Sequence, residues 1–177
     1  DTLGSDSIAI GQTALENQNF TTATNSYNIA IGRNAGGQVT TGRLNTLIGA
    51  FAGDALTAAD SNTAIGYVAL SSDTRGERAI AIGEGALFTQ NFTTETNNYN
   101  VAIGYNAGYS VTTAIRNTLI GGLSGDALTE GARNTTLGYG ALSGDTLGSR
   151  SIAIGYEALG SQNFTTATNS ANTAVGY

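Results

Sequence analysis

Residues 45–66, NTLIGAFAGDALTAADSNTAIG, open and close on the same kind of pentapeptide, ending at Gly49 and again at Gly66. The pattern Asn/Ser-x-Ala-Ile-Gly recurs along the whole chain as SIAIG (7–11), NIAIG (28–32), NTLIG (45–49), NTAIG (62–66), AIAIG (79–83), NVAIG (100–104), NTLIG (117–121), NTTLG (134–138), SIAIG (151–155) and NTAVG (172–176). The closing glycines, Gly11, Gly32, Gly49, Gly66, Gly83, Gly104, Gly121, Gly138, Gly155 and Gly176, advance in steps of 21, 17, 17, 17, 21, 17, 17, 17 and 21 along the chain. A short period of 17 therefore sits inside a longer one of 72. A fixed period with one supersecondary unit per repeat predicts a single all-β solenoid domain over 1–177, about ten rungs long.

Each column of the repeat has a physical reading. The residue before the glycine is always aliphatic (Ile10, Ile31, Ile48, Ile65, Ile82, Ile103, Ile120, Leu137, Ile154, Val175), which predicts that this column stacks as the core. Two residues earlier, on the same strand face by the period-2 rule, Ile or Val (8, 29, 80, 101, 152) alternates with Thr (46, 63, 118, 135, 173), as at the margin of a core. Between them a mostly small column points the other way, with Ala at 9, 30, 64, 81, 102, 153 and 174, and implies a second buried surface. The glycine fits a sharp corner with positive φ or no room for a Cβ. Three residues on comes a small residue, and the next position is Leu or Gly only. Four residues before the glycine, seven of the ten rungs carry Asn (28, 45, 62, 100, 117, 134, 172), a residue suited to turns and to amide ladders between rungs. Each rung reads as strand, glycine corner, short second strand, loop.

The composition has 25 Gly and no Pro, Cys, Met, Trp or His; the seven basic residues are all Arg (33, 43, 75, 78, 116, 133, 150). A rung this short holds few large apolar side chains, so a lone chain has a thin core, and thin cores call for association to offset chain entropy. Absent proline suits backbone N–H groups committed to ladders throughout. The net charge is −6 and the arginines are scattered in sequence, with no basic stripe, which argues against nucleic-acid binding. No apolar stretch has the length of a membrane helix, and the start does not look like a signal peptide, so no direct membrane insertion is expected of this segment. DTLGSDSIAIG (1–11) matches DTLGSRSIAIG (145–155), and both ends fall inside the repeat, from which we expect an excerpt of a longer array.

Every fourth rung is four residues longer, and the added length carries QNFTTATN (18–25), QNFTTETN (90–97) and QNFTTATN (162–169). Four rungs of about 4.8 Å would separate successive loops by roughly 19 Å. Two readings compete for Asn19, Phe20, Thr21, Asn91, Phe92, Thr93, Asn163, Phe164 and Thr165. They form repeated contact points for a cell-surface glycan or protein receptor, or each Phe folds back over the core or a subunit seam. The second is favoured, because a repeated apolar residue is more often packing than recognition. Asn-Phe-Thr at 19–21, 91–93 and 163–165, and Asn-Thr-Thr at 134–136, fit the N-glycosylation acceptor pattern. We read that fit as a by-product of an Asn/Thr-rich composition.

Without His, Cys or Lys, the usual acid–base, nucleophile and zinc constellations cannot be built. Carboxylate pairs could serve a polysaccharide-degrading enzyme, yet the acids are themselves periodic: Asp54 with Asp126, and Asp1 with Asp73 and Asp145. An active site is normally one place, so no enzyme, catalytic residue, cofactor or metal is expected. Ice binding would need regular Thr ranks, which the Ile/Thr alternation breaks.

The SIAIG, NTAIG and AIAIG pentapeptides, each followed by xxA, resemble the head repeats of YadA-type trimeric autotransporter adhesins. NTAIGYVALSSDTRGER (62–78) is similar to the NTAIGYxAL arrays of phage tail fibres and related fibre proteins. The resemblance spans all ten rungs and implies a left-handed parallel β-roll. In it three chains pack side by side, one strand face filling each roll and the other facing the threefold axis. The 17/21 spacing departs from it, being longer than the usual adhesin rung, and this stretch carries no coiled-coil stalk, membrane anchor or tail-fibre chaperone domain. What it implies is a structural and adhesive segment of an extracellular fibre, on a cell surface or virion. A self-assembling filament whose ends stack is the alternative.

Overall fold

The computed structural model describes residues 3–177, so Asp1 lies outside the described residues. The described residues form sixteen short strands and no helix. They are β1 (Gly4–Ser5), β2 (Ile8–Ile10), β3 (Thr24–Asn25), β4 (Ile29–Ile31), β5 (Thr46–Ile48), β6 (Thr63–Ile65), β7 (Gly76–Glu77), β8 (Ile80–Ile82), β9 (Thr96–Asn97), β10 (Val101–Ile103), β11 (Thr118–Ile120), β12 (Thr135–Leu137), β13 (Gly148–Ser149), β14 (Ile152–Ile154), β15 (Thr168–Asn169) and β16 (Thr173–Val175). The ten three-residue strands are the ten pentapeptides. They stack in strict chain order into one parallel sheet, β2-β4-β5-β6-β8-β10-β11-β12-β14-β16, with every pentapeptide in register on the next. The chain is a parallel β-solenoid.

At the corner, Gly104 has φ +138°, and a Cβ there would lie 2.5 Å from the carbonyl oxygen of Gly121 in the next rung. Beyond the corner the expected second strand is not formed. The chain instead turns through left-handed residues, such as Asn106 (φ 51°) and Gly108 (φ 60°), whose backbone groups bond rung to rung, as in Gly108 N–H to Ser124 O at 2.9 Å. The three two-residue sheets, β1 with β3, β7 with β9 and β13 with β15, arise only where a long rung lays its extra residues against the rung before it.

The strand faces alternate as period 2 requires, but the assignment of the core is corrected. The middle column fills the interior: Ala30, Leu47, Ala64, Ala81, Ala102, Leu119, Thr136 and Ala153 are fully buried. The column before the glycine lies on the outer face. Ile31, Ile48, Ile65, Ile82, Ile103, Ile120 and Ile154 are half-buried, and Ile10 (58%), Leu137 (50%) and Val175 (74%) are exposed. The reason is width. Where the strand faces the opposite wall of so narrow a roll there is mostly room for a methyl group, and larger aliphatics are displaced outward.

The large interior side chains come from beyond the corner. Four residues after the glycine stands Leu or Gly, and three residues further on the choice is matched. Leu70, Leu87 and Leu142 accompany polar Asp73, Gln90 and Asp145, whereas Gly36, Gly53, Gly108 and Gly125 accompany Val39, Leu56, Val111 and Leu128. At this pair of positions one large apolar group fills the space from one side or the other, and on two rungs Leu47 and Leu119 of the strand add a second. A Cβ on Gly108 would lie 2.8 Å from a Leu119 methyl and 3.4 Å from a Val111 methyl. Each such buried aliphatic contributes about 1.5–3 kcal/mol.

Candidate functional site

The long loops are the leading candidate, and the structure divides them into an anchored root and a free tip. Phe20 and Phe92 are 5% and 7% exposed, and Phe164 is half-buried. Their rings fold back on the roll; a Cβ on Gly76 would lie 2.9 Å from the Phe92 ring. Asp73 fixes this root. Its Oδ1 accepts from Gly76 N–H (2.9 Å) and Phe92 N–H (3.0 Å), and its Oδ2 accepts from Gln90 Nε2 (2.6 Å). Gln90 Oε1 in turn accepts from Asn100 Nδ2 (2.8 Å), which also donates to Ala114 O (2.7 Å). One long period further on, Asp145 accepts from Gly148, Phe164 and Gln162 in the same way, and Gln162 accepts from Asn172 Nδ2.

Burial pushes the Asp73 carboxyl up, against the hydrogen bonds from Phe92, Gln90, Gly76 and Arg75 that favour its charge. The role of these Asp–Gln–Asn chains was missed in the sequence, although the signal was present: an Asp seven residues after one corner glycine is followed, one rung later, by a Gln at the same place.

Asn19, Thr21, Asn91, Thr93, Asn163 and Thr165 are exposed. The side-chain oxygens of Asn91 and Asn163 accept from the Thr74 and Thr146 hydroxyls at 3.0 and 3.2 Å. What the loops present to solvent is therefore a row of threonine and amide groups, not aromatic faces. Thr94 donates no side-chain bond to the roll, and its exposed side chain can be removed. Thr94→Ala is expected to leave the melting temperature within a degree or two of the parent, since exposed substitutions of this kind stay within about 0.5 kcal/mol.

Two other surfaces are built by stacking. The outward columns of the ten-stranded sheet form a continuous band of Ile, Val, Leu and Thr, from Ile8 and Ile10 to Thr173 and Val175. Beyond the corner, exposed tyrosines follow the glycine, and Tyr139, Tyr156 and Tyr177 stack at 5.5 Å between successive ring centroids. The arginines, scattered in sequence, are brought together by rung arithmetic: Arg78, Arg116, Arg133 and Arg150 all stand five residues before a corner glycine, so they share one column.

Asp54 and Asp126, also one long period apart, each keep a buried Oδ1 without a partner, and burial pushes both carboxyls up from the ordinary value of 3.8. A folded state with a raised carboxyl pKa binds the proton more tightly than the unfolded chain. The associated stability is complete below 3.8 and is lost as pH rises through the raised value. The melting temperature is therefore expected to rise on acidification from neutrality toward that range, and Asp54→Asn with Asp126→Asn to flatten the profile. Thermal melts across pH check this; a melting temperature falling steadily through the same window contradicts it.

Among the described residues there is no pocket, no group of three or more potential metal-ligating side chains, and no helix long and apolar enough to cross a membrane. No family model, curated protein or solved structure matches the chain.

Proposed function

We propose that the chain is a structural and adhesive segment of an extracellular fibre, working as a homotrimer that spaces its long loops at four-rung intervals and holds them toward a cell-surface glycan or protein. The observation that carries this reading is the outer face of the ten-stranded sheet. Its two outward columns are aliphatic or Thr on every rung, yet remain half-buried or exposed in the single chain. Soluble monomers rarely leave so long an apolar band open to water, and bands of this kind mark association surfaces. The pentapeptide resemblance to trimeric adhesin heads and phage fibre arrays points the same way. The anchored roots of the loops suit a spacer, because they keep each exposed tip at a fixed place on the rod.

The test is oligomeric state. Sedimentation of the parent chain is expected to give a single trimeric species. Ile65→Asp, which sets a charge in the middle of the outer band, is expected to give monomers, or a chain that no longer folds; Thr94→Ala keeps the trimer. A charge buried without a partner in such a face costs several kcal/mol. A monodisperse parent monomer would sink the trimer, and concentration-dependent growth of long fibres would favour the filament.

A further inference from the structure

We infer that the column five residues before the corner glycines binds a linear acidic polysaccharide along rungs five to nine, through Arg78, Tyr99, Arg116, Arg133 and Arg150. The same column in the earlier rungs holds Asp6, Tyr27, Leu44 and Ser61. Most features of this molecule repeat with the long period, as scaffold requirements do. Here Asp6 is matched by Arg78, Leu44 by Arg116 and Ser61 by Arg133, so the arginines are not demanded by the fold.

The backbone leaves side-chain identity free at this position. Every residue in the column is left-handed whatever its type, from Asp6 (φ 60°) through Leu44 (φ 60°) to Arg150 (φ 66°). All five stripe residues are exposed. Among the described residues Arg116, Arg133 and Arg150 enter no ion pair; Arg78 has only a long contact of 3.9 Å with Glu77 and lies over the Tyr99 ring at 5.8 Å. Their immediate chain neighbours on those three rungs, Ile115 and Asn117, Ala132 and Asn134, Ser149 and Ser151, carry no charge. Three guanidiniums on adjacent rungs repel one another, and among the described residues no carboxylate lies within 4 Å of them.

Ladder bonds fix their spacing: Arg116 N–H to Asn98 O (2.7 Å), Arg133 N–H to Ile115 O (3.1 Å) and Arg150 N–H to Ala132 O (3.0 Å). A rise of about 4.8 Å per rung is close to the length of one pyranose residue. The carboxylates of a linear polyuronate that turn toward this regular row can pair with its guanidinium forks, with the Tyr99 ring beside a sugar face. Duplex nucleic acid, with phosphates every 3.4 Å or so along each strand, does not keep this step.

The experiment uses the whole chain and a fluorescein-labelled linear polygalacturonate oligomer, with a neutral dextran oligomer and single-stranded DNA as comparators. Polygalacturonate is expected to bind and to weaken with salt, and dextran not to bind. Arg116→Leu, Arg133→Ser and Arg150→Asp together restore the residues that the repeat itself uses at 44, 61 and 6, so the fold tolerates them. The triple variant is expected to lose at least about tenfold in affinity, while Arg75→Gln, outside the column, keeps it. No binding by the parent, unchanged binding by the triple variant, or tighter binding of DNA than of polygalacturonate each overturns the inference. So does a triple variant with an altered oligomeric state, which would make the stripe a subunit contact. Failure here leaves the fibre reading standing, because that rests on the outer sheet face.

Discussion

Gly104→Ala is expected to cost about 2–6 kcal/mol, the sum of a left-handed strain of about 1–3 and an overpacking term of about 1–3 kcal/mol. Gly104 has φ +138°, a conformation that L side chains rarely adopt, and its added Cβ would sit 2.5 Å from O and 2.6 Å from C of Gly121 and 2.9 Å from N of Gly122. All three are backbone atoms, so no rotamer change relieves the clash. The backbone cannot retreat either, because Gly121 N–H is bonded to Ile103 O at 2.8 Å and its rung is held by the next one. Relief requires the two rungs to separate, and in a solenoid each rung touches only its neighbours. The lesion should therefore divide the array, with early exchange of the amides around 100–121 and a lower denaturant midpoint. Gly122→Ala is the matched control. Its Cβ would make only ordinary contacts, with the Tyr139 ring at 3.4 Å and the Tyr105 carbonyl oxygen at 3.9 Å, and the equivalent position elsewhere carries Tyr, Arg and Glu. An unchanged midpoint for Gly104→Ala would show that the corner is not what closes the rung.

That corner was legible in the sequence because a missing Cβ leaves the same mark wherever backbones meet. The period, the in-register parallel stacking and the anchoring Phe of the long loops were legible for a similar reason, since each is demanded once per rung or once per long period. What could not be read was which strand face turns inward. Alternation fixes parity alone: taking the larger side chains as the core placed Ile65 inside the roll and set Ala64 on a second buried face, whereas the structure turns Ala64 into the roll and leaves Ile65 half-buried on the outer face. The width of the roll decides this, and width depends on residues far along the rung. Leu87 with Gln90, or Gly108 with Val111, fill the interior that a large side chain at the strand would otherwise occupy. The arginine column went unseen because it breaks the long period, while counting along the chain shows only seven separated residues.

The extra residues of the long rungs have a structural cause that the buried asparagines expose, and it sets the second large effect. In the ordinary rungs each Asn Oδ1 accepts the backbone N–H of the next member of the column, and its Nδ2 donates to a carbonyl across the same rung. Asn117 Oδ1 takes Asn134 N–H at 2.8 Å, and its Nδ2 reaches Gly131 O at 2.8 Å. The column is broken at Ala79, whose N–H donates to Asn62 Oδ1 but whose side chain has no acceptor to offer Asn100. There the long rung intervenes: Asn98, from its added segment, accepts Asn100 N–H at 2.9 Å. Ser7 and Ser151 stand at the equivalent breaks, paired through hydroxyls with Ser26 and Ser170 of the following long rungs. Asn117 has no such substitute. Asn117→Ala leaves the buried Asn134 N–H and Gly131 carbonyl without partners, at about 1–3 kcal/mol each, for a loss of about 2–6 kcal/mol. A chain in the usual range of about 5–15 kcal/mol would melt far earlier. Hydrogen exchange supplies the specific readout, since the Asn134 amide is expected to lose its protection before neighbouring rungs do. Should that amide stay protected in Asn117→Ala while stability falls, the loss would be one of packing and the ladder would not be what joins the rungs.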